Sequence, residues 1–286
     1  MDVSLSSFQK WHQAVAQAVA NLNTNQFPVA LISALETLVQ GEAAMISLEY
    51  KNRSPVLLFD HGIPLEKRDL LVSRYFSRGY MLDPFCLAVS GGLQQGFYHL
   101  AEIAPDDFFN SDYYKTYYIK AGSVEDCYFV VDLGENRKIT VCLYHGDPAY
   151  RYSQTEFSQL RAVEPLVREL VLRHWGDTSF EETDQQSGAQ SLARPLDAAF
   201  MNFGRSILTE RELETTHLIL RGHSSKSAAR ELDISPDTVR EHRKNLYRKL
   251  CVSSQSELFS LFIDAISQFS EGSSEDPMEN LLNSKT

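Results

Sequence analysis

The sequence predicts an α+β protein with two parts: an N-terminal α-β-α domain, in which helices flank an antiparallel sheet, and an all-α domain of four helices near the C-terminus. Strand-like and helical patterns mix as far as Trp175, a stretch with almost no aliphatic side chain follows, and four closely spaced helix starts come after it. We therefore divide the chain into a domain over 1–175, a linker over 176–204, a helical domain over 205–270 and a disordered acidic tail over 271–286.

Length and charge limit the kind of protein this is. A chain of 286 residues with 43% hydrophobic side chains is long enough for about two domains. Its formal net charge of -11 argues against a protein that coats nucleic acid with its whole surface, so any nucleic-acid site has to be local. We expect a soluble, cytoplasmic protein without a membrane partner, because neither a signal peptide nor a membrane span is evident. The four scattered cysteines form no CxxC pair, and we expect no metal and no cofactor.

The N-terminal domain starts with helical patterns and continues with short strands. Apolar spacing predicts helices over 8–22 and 28–39 and a longer one over 64–78. A last helix begins at Ser153, which can form a capping box with Glu156. A Gly-Glu-Asn-Arg turn joins the last two predicted strands as a hairpin in a sheet of four or five strands. The strands singled out are 44–50, 55–60, 127–133 and 138–145.

Residues that satisfy free backbone donors mark the starts of the four C-terminal helices. The first and fourth starts are capping boxes, in which a hydroxyl and a carboxylate three residues later serve each other's backbone amides. A proline at the first helical position follows the third cap, where its missing N–H costs nothing. The caps are Thr209 with Glu212, Ser224, Ser235 before Pro236, and Ser254 with Glu257.

The third of these helices, over 236–250, has two faces that differ in kind. Val239, Leu246 and Leu250 recur at helical spacing and form an inward stripe. Charged residues occupy the opposite face, where Arg and Lys could reach guanine O6 and N7 and Glu could accept from the cytosine amino group. They are Arg240, Glu241, Lys244 and Arg248.

Three motifs in this segment resemble the LuxR/GerE-type helix-turn-helix of bacterial transcription factors. They are LTERE from Leu208, ILRGHSSKSAARELDISPDTVREHRKNLYRKL over 219–250, and VSSQSEL from Val252. The resemblance runs through all four helices and implies that double-stranded DNA is a partner, with base contacts from Arg240, Glu241 and Lys244. It implies phosphate contacts from Thr209, Lys226, Ser235, Thr238, Arg243 and Lys249.

The sequence departs from the family pattern at several positions. Asp233 and Cys251 stand where the family commonly has glycine after the second and third helices, and cysteine would be strained if the left-handed geometry is kept. Thr215, Thr216 and Ala228 replace larger aliphatic residues, which predicts a thinner core.

The resemblance also implies protein partners. In the family the fourth helix commonly joins two copies, so we expect a homodimer that reads two half-sites, and we expect contact with RNA polymerase. The side chains predicted to form the dimer contact are Leu258, Leu261, Phe262 and Ala265.

The N-terminal domain is rich in aromatic residues between Tyr75 and Tyr144, and tyrosine suits the lining of a small-molecule pocket. The segment RYFSRGYMLDPF over 74–85 resembles part of the acyl-homoserine-lactone receptors of the same family, which implies ligand contacts from Tyr80 and Asp83. Asp83 could instead cap a turn before Pro84. A GAF- or PAS-like sensor fits the layout equally well. The candidate ligand-binding residues are Tyr75, Tyr80, Asp83, Tyr98 and Tyr128.

These observations favour a quorum-sensing-like transcription factor, a DNA-binding dimer controlled by a small-molecule effector. The alternative is that the N-terminal domain docks a protein partner and binds no metabolite. We do not expect an enzyme or catalytic residues, because HExxH, GxSxG and P-loop motifs are absent from the sequence.

Overall fold

The computed structural model describes residues 5–51, 54–77, 79–121, 123–147, 149–178, 180, 199–267 and 276–279. The chain separates into two compact units. Unit 1 consists of Met1–Phe76, Ala88–Ile103 and Ala121–Gln186, and unit 2 consists of Ser77–Leu87, Ala104–Lys120 and Ser187–Thr286. Most of the predicted linker, residues 181–198, lies outside the described residues.

The helices and strands agree with the predicted α+β class. Among the described residues, the helices longer than six residues and regular throughout are α1 (Leu5–Ala20), α2 (Phe27–Leu35), α3 (Pro84–Ser90), α4 (Gln154–Trp175), α5 (Glu210–Leu220), α6 (Ser225–Glu231), α7 (Pro236–Lys249) and α8 (Gln255–Ser267). The strands are β1 (Ala43–Tyr50), β2 (Val56–His61), β3 (Gly96–His99), β4 (Glu125–Gly134) and β5 (Arg137–His145).

Unit 1 is built on an antiparallel sheet with the strand order β2-β1-β5-β4-β3. The predicted hairpin is confirmed as β4 and β5, and Glu135 and Asn136 at its turn have positive φ of 53° and 61°. The sequence did not single out β3. This strand spans only four residues, and it pairs with β4 at the edge of the sheet.

One face of the sheet carries the apolar core of unit 1. Ile46, Phe129 and Val141 are at most 1% exposed, and they belong to a buried cluster that includes residues of α2 and α4. Helix α4 begins as predicted: Ser153 and Glu156 form a reciprocal capping box, which satisfies two backbone donors at the start of this long helix.

The predicted helix over 64–78 is not regular. It consists of an α-helical turn over Leu65–Arg68, a π-helical stretch over Asp69–Arg74 and a final turn over Tyr75–Ser77. The guanidinium Nε of Arg74 donates to Asp69 Oδ2 at 2.8 Å, a contact across five residues that matches the wider π-helical repeat.

Unit 2 contains the four predicted C-terminal helices, α5 to α8. The caps at Thr209, Ser224 and Ser235 are confirmed, since each side-chain oxygen accepts from the backbone amide three residues later. The fourth cap differs from the prediction. Ser254 accepts from the amide of Glu257, whereas the Glu257 carboxylate accepts from the amide and hydroxyl of Ser253 instead of returning to Ser254.

Unit 2 also contains two segments that the sequence had assigned to the N-terminal domain, Ser77–Leu87 and Ala104–Lys120. The second is organised around Phe108, which is fully buried. Its ring lies 5.4 Å from Tyr118 and 5.5 Å from Tyr114, centroid to centroid, in edge-to-face geometry. Much of the aromatic-rich region is therefore core of unit 2.

The tail prediction is wrong for the four residues that the structure describes there. Asp276 is 6% exposed, and its carboxylate accepts from the backbone amides of Gly204 and Ser206, each at 2.8 Å. Met278 is 3% exposed. These residues are ordered because a buried carboxylate with several donors replaces the solvation that an acidic tail would otherwise keep. The remaining tail residues lie outside the described part of the chain.

Candidate functional site

The geometry of α7 keeps its charged face in solvent. Val239 and Leu246 are at most 1% exposed and pack α7 against its own domain. Arg240, Glu241 and Lys244 are exposed on the other side of the helix, as the sequence predicts for base-contacting residues. A helix anchored on one side, with cations and a carboxylate exposed on the other, is suited to entering the major groove of DNA.

On the charged face of α7, Arg240 and Arg248 each contact a neighbour on the same helix. Arg240 forms an ion pair with Asp237, one turn earlier in α7. Arg248 donates to the side-chain oxygen of Asn245 at 2.8 Å. Exposed pairs of this kind stabilise by only about 0–1 kcal/mol, so the Arg240 side chain can exchange Asp237 for another acceptor at little cost.

The predicted phosphate-contacting residues fall into two groups. Lys226 is exposed, Ser235 and Thr238 share a hydroxyl contact of 2.8 Å at the start of α7, and Arg243 donates to the Tyr247 hydroxyl at 3.0 Å. These side chains lie at the surface or close to it.

Thr209 and Lys249 instead belong to a structural cluster around Glu212. The Glu212 carboxylate is buried and accepts from the Thr209 amide at 2.9 Å and from Lys249 Nζ at 2.6 Å. Burial opposes ionisation of Glu212, but the Lys249 and Thr209 contacts outweigh it and lower the pKa of this carboxyl group. Lys249 thus ties the end of α7 to the start of α5, a role that sequence reasoning missed.

Both positions where the sequence lacks the family's glycine keep left-handed geometry. Asp233 has φ of 53° and Cys251 has φ of 56°. Each ends a helix in the usual way, because the next amide reaches back: Ile234 to the Ala229 carbonyl at 3.0 Å and Val252 to the Tyr247 carbonyl at 2.9 Å. The backbone that presents α7 is therefore preserved despite the substitutions.

The two threonines that replace larger aliphatics are accommodated in the core. Thr215 and Thr216 are fully buried, and their hydroxyls donate to the carbonyls of Arg211 and Glu212 at 2.7 and 2.8 Å. These bonds to the preceding turn satisfy polar groups that would otherwise be costly inside the domain.

Most of the side chains predicted to form the dimer contact on α8 are buried. Leu258, Phe262 and Ala265 are at most 1% exposed, and only Leu261 of the four predicted residues is half-buried. The Phe262 ring packs edge-to-face on Phe203 at 5.3 Å. Three of the four side chains are therefore covered by the chain itself in this arrangement, because they serve the core of unit 2.

The five predicted ligand-binding residues divide between the units. Tyr80 and Asp83 are buried in unit 2, while Tyr75, Tyr98 and Tyr128 belong to unit 1. The Asp83 carboxylate accepts from the Phe85 amide at 2.8 Å and caps the start of α3, which is the alternative role that the sequence suggests. Tyr98 donates its hydroxyl to the Gln94 carbonyl at 3.0 Å.

Sequence reasoning missed a second face of the unit 1 sheet, opposite the apolar core. Paired residues on neighbouring antiparallel strands project to the same side. The signal was present in β5, where polar or sulfur-bearing residues alternate with Ile139, Val141 and Leu143. We call this the second sheet face, and it comprises the row Tyr98, Tyr128, Cys142 and Met45, the row Val130, Thr140 and Ser47, and the pair Asp126 and Tyr144.

Polar groups are buried on the second sheet face. The Asp126 carboxylate, 4% exposed as a residue, accepts from the Ser123 hydroxyl at 2.5 Å and from the Tyr128 hydroxyl at 3.1 Å. Among the described residues, the buried hydroxyls of Thr140 and Tyr144 have no hydrogen-bond partner. Burial raises the pKa of Tyr144, so its hydroxyl stays neutral and able to donate. Such unsatisfied groups are a ready means of recognising a bound molecule.

Metal-binding clusters and membrane-spanning helices are both absent from the part of the chain that the structure describes. Among these residues, no group of three or more His, Cys, Asp or Glu side chains could hold a metal ion. No helix there is long and apolar enough to cross a membrane. Cys86, Cys127 and Cys142 are buried free thiols, whereas Cys251 is exposed.

Comparison with known proteins points to the same C-terminal domain. Residues 206–262 match the family described as "Bacterial regulatory proteins, luxR family". A protein of Aeromonas salmonicida, named as an HTH-type transcriptional regulator in the exeN 3′ region, is 29% identical over 184 residues, which cover 64% of this chain and 93% of that protein. The nitrate/nitrite response regulator protein NarP of Escherichia coli is 47% identical over 58 residues, covering 20% of this chain and 27% of NarP.

One solved structure resembles a larger part of the fold. The VqsR LBD domain from Pseudomonas aeruginosa superposes with a TM-score of 0.52 at 22% identity, covering 59% of this chain and 98% of that domain. At this identity the likeness concerns the fold alone.

Proposed function

Because residues 206–262 form a LuxR-type helix-turn-helix domain, we propose that this chain is a transcription regulator that binds operator DNA as a dimer, and that a small molecule bound by unit 1 controls the binding. The observation that carries the DNA-binding part is the placement of Arg240, Glu241 and Lys244 on the exposed face of a helix whose opposite face is buried. Base edges in the major groove offer acceptors for the two cations and a donor for the carboxylate.

The first experiment separates base contacts from phosphate contacts. The preferred duplex is selected from a randomised library with the wild-type protein, and binding of Arg240→Ala and Lys226→Ala is then compared on that duplex and on unrelated sequences. Arg240→Ala should lose about 1–3 kcal/mol on the preferred duplex and relax selectivity at one base. Lys226→Ala should weaken all sequences similarly and reduce the salt dependence, since Lys226 is exposed near the start of α6.

Equal losses on every sequence for Arg240→Ala would assign Arg240 to phosphate contact. Failure of the wild-type protein to enrich any sequence would contradict DNA reading through α7 altogether. Unchanged melting temperatures would show that both variants fold, which is expected because both side chains are exposed.

The effector is proposed to use the second sheet face of unit 1. The support is the pair of buried hydroxyls on Thr140 and Tyr144 that have no partner among the described residues, beside the Asp126 carboxylate. A ligand with a donor and an acceptor next to an apolar body would satisfy them. Binding of that kind is typical of small-molecule sites, in which few polar groups fix the orientation of a mostly apolar ligand.

Thermal shift of the whole chain against small metabolites, acyl-homoserine lactones included, tests this assignment. A ligand at about 100 times its dissociation constant should add about 2.7 kcal/mol of stability. Tyr144→Phe should diminish that shift without destabilising the free protein, because it removes a buried hydroxyl that lacks a partner. An equal shift in wild type and Tyr144→Phe would place the ligand elsewhere, and a copurifying protein with no shift for any compound would favour a docking module.

A further inference from the structure

An ion pair at the start of α7 sets the direction of the Arg240 side chain. Asp237 lies in the first turn of the helix, and its carboxylate oxygen Oδ1 contacts Arg240 Nη1. We propose that Asp237 is a specificity-determining residue, which holds the guanidinium of Arg240 in the orientation that reads a base. The inference rests on the proposed function, because it assigns a positioning residue to the proposed base contact.

The start of α7 fixes where the Asp237 backbone stands. The Ser235 hydroxyl caps the helix by accepting from the Thr238 amide at 3.1 Å, and Pro236 occupies the first turn with a restricted φ. Asp237 follows in the same turn, where the partial positive charge of the helix N-terminus favours a carboxylate. The carboxylate therefore projects from a defined position, although its side chain is 89% exposed.

The pair draws the guanidinium of Arg240 towards the N-terminal end of α7, since Asp237 precedes Arg240 by one helical turn. In helix-turn-helix proteins the N-terminal residues of this helix contact base edges. The contact takes Nη1, and a guanidinium has more N–H groups than one carboxylate oxygen accepts. Donors therefore remain for the O6 and N7 acceptors of guanine.

The other arginines of α7 have neutral partners. Arg243 Nε donates to the Tyr247 hydroxyl at 3.0 Å, towards the C-terminal end of the helix, and Arg248 donates to the Asn245 side-chain oxygen at 2.8 Å. Of the arginines that the structure describes on α7, only Arg240 contacts a carboxylate. The pair is neutral as a whole, so it gains less from phosphates than a lone cation would and is better suited to base edges.

Entry into the major groove would strengthen this arrangement. In the free protein the exposed pair is weak, and Arg240 can leave Asp237 at little cost. In the groove, water is displaced and DNA phosphates lie close by, so a carboxylate that lost its cation would be both desolvated and repelled. Orientations in which Arg240 turns to a phosphate are therefore penalised through Asp237, and such a penalty confers selectivity.

The experiment compares two substitutions of Asp237 in the whole chain. Asp237→Ala removes both the charge and the acceptor. Asp237→Asn removes only the charge, and an amide oxygen at this spacing can hold an arginine, as Asn245 does for Arg248. The matched control Glu214→Ala breaks a second ion pair between residues three apart, in which Arg211 and Glu214 are in contact at 2.9 Å on α5.

Each protein is measured on the duplex that wild type selects, on duplexes that differ from it at single base pairs, and on an unrelated duplex at several salt concentrations. The base that Arg240 reads is the position at which Arg240→Ala relaxes selectivity. Asp237→Ala should lower discrimination there about tenfold, and Asp237→Asn about threefold, because the amide still holds the guanidinium. Asp237→Ala should also bind the unrelated duplex about threefold more tightly and with a steeper salt dependence, since the released cation then serves phosphates. Glu214→Ala should discriminate like wild type.

The double variant Asp237→Ala/Arg240→Ala tests whether Asp237 acts through Arg240. It should discriminate as Arg240→Ala does, because positioning has no effect once the positioned side chain is removed. A further loss of selectivity in the double variant, at this base or another, would make Asp237 a base contact in its own right and refute the positioning role. Discrimination is a ratio of affinities within one preparation, so it does not depend on the fraction of folded protein.

Two results would overturn the role of Asp237 and leave the proposed function intact, provided that Arg240→Ala loses selectivity. One is wild-type discrimination in Asp237→Ala, and the other is an equal loss in Asp237→Ala and Asp237→Asn, which would assign the effect to charge and not to orientation. A wild-type protein that selects no DNA sequence would instead overturn the proposed function, and the role of Asp237 with it.

Discussion

His217 should make the helical domain sensitive to acid. Its ring is 7% exposed, with Nε2 3.0 Å from the Phe200 carbonyl oxygen, and the Arg221 guanidinium lies 4.8 Å from the centroid of the Phe200 ring. Burial first, and then the positive charge of Arg221, lower the pKa of His217 from 6.5 to about 4. The folded domain therefore holds a neutral imidazole where the unfolded chain would take up a proton.

The direction and size of the pH effect on stability follow from this difference in the pKa of His217. As the pH falls below 6.5, the unfolded state binds the proton and the folded state does not, so the free energy of unfolding decreases until about pH 4. One pKa unit corresponds to about 1.36 kcal/mol, so the full loss is roughly 3 kcal/mol, of which about 2 kcal/mol falls above pH 5. Stability conferred by the neutral His217 is fully present above pH 6.5 and is lost on acidification.

Urea unfolding of wild type and His217→Gln at several pH values from about 7 to about 5 measures this effect. The glutamine can still donate to the Phe200 carbonyl but does not titrate, and carboxylates that titrate in both proteins cancel in the difference. Wild type should lose about 2 kcal/mol more than the variant over this range. Parallel pH dependences of the two proteins would refute the reasoning, since His217 would then be protonated equally in both states.

Three further substitutions test local geometry in unit 2. Cys251→Gly should raise the free energy of unfolding by about 1 kcal/mol, because φ of 56° strains a residue that has a Cβ. Asp233→Gly should raise the free energy of unfolding by less. A lower stability of Cys251→Gly in thermal unfolding would contradict the strain. Asp276→Ala should lower the free energy of unfolding by about 2–3 kcal/mol, because the amides of Gly204, Ser206 and Met278 lose a buried acceptor. A loss of stability under about 0.5 kcal/mol would show that water replaces the carboxylate.

Local chemistry in the sequence was enough to predict most elements and the exposed face of α7. Caps such as Thr209 and Ser235 act within three residues, and the stripe of Val239 and Leu246 is set by helical spacing. For the same reason the hairpin of β4 and β5 was recognisable, since its turn and alternation are contiguous.

The remainder depends on contacts between distant residues. Nothing near Asp106 indicates that its partner is Ser224, and nothing near Asp276 indicates Gly204. The aromatic density around Phe108 is equally compatible with a ligand pocket and with a packed core, and only tertiary structure shows that these rings fill unit 2. The burial of Leu258, Phe262 and Ala265 on α8 was underestimated for the same reason. The spacing of apolar residues along a helix shows that one face is covered, but not whether the same chain or a second copy covers it.

The link from Asp276 back to Gly204 and Ser206 fixes where the helical module can be cut. The family match ends at residue 262, but a fragment truncated there would leave the amides of Gly204 and Ser206 without their carboxylate acceptor. A fragment that begins at residue 199 and ends at residue 279 would keep Asp276 together with the amides of Gly204 and Ser206. A fragment that ends shortly after α8, with an affinity tag in place of the following residues, would lose Asp276.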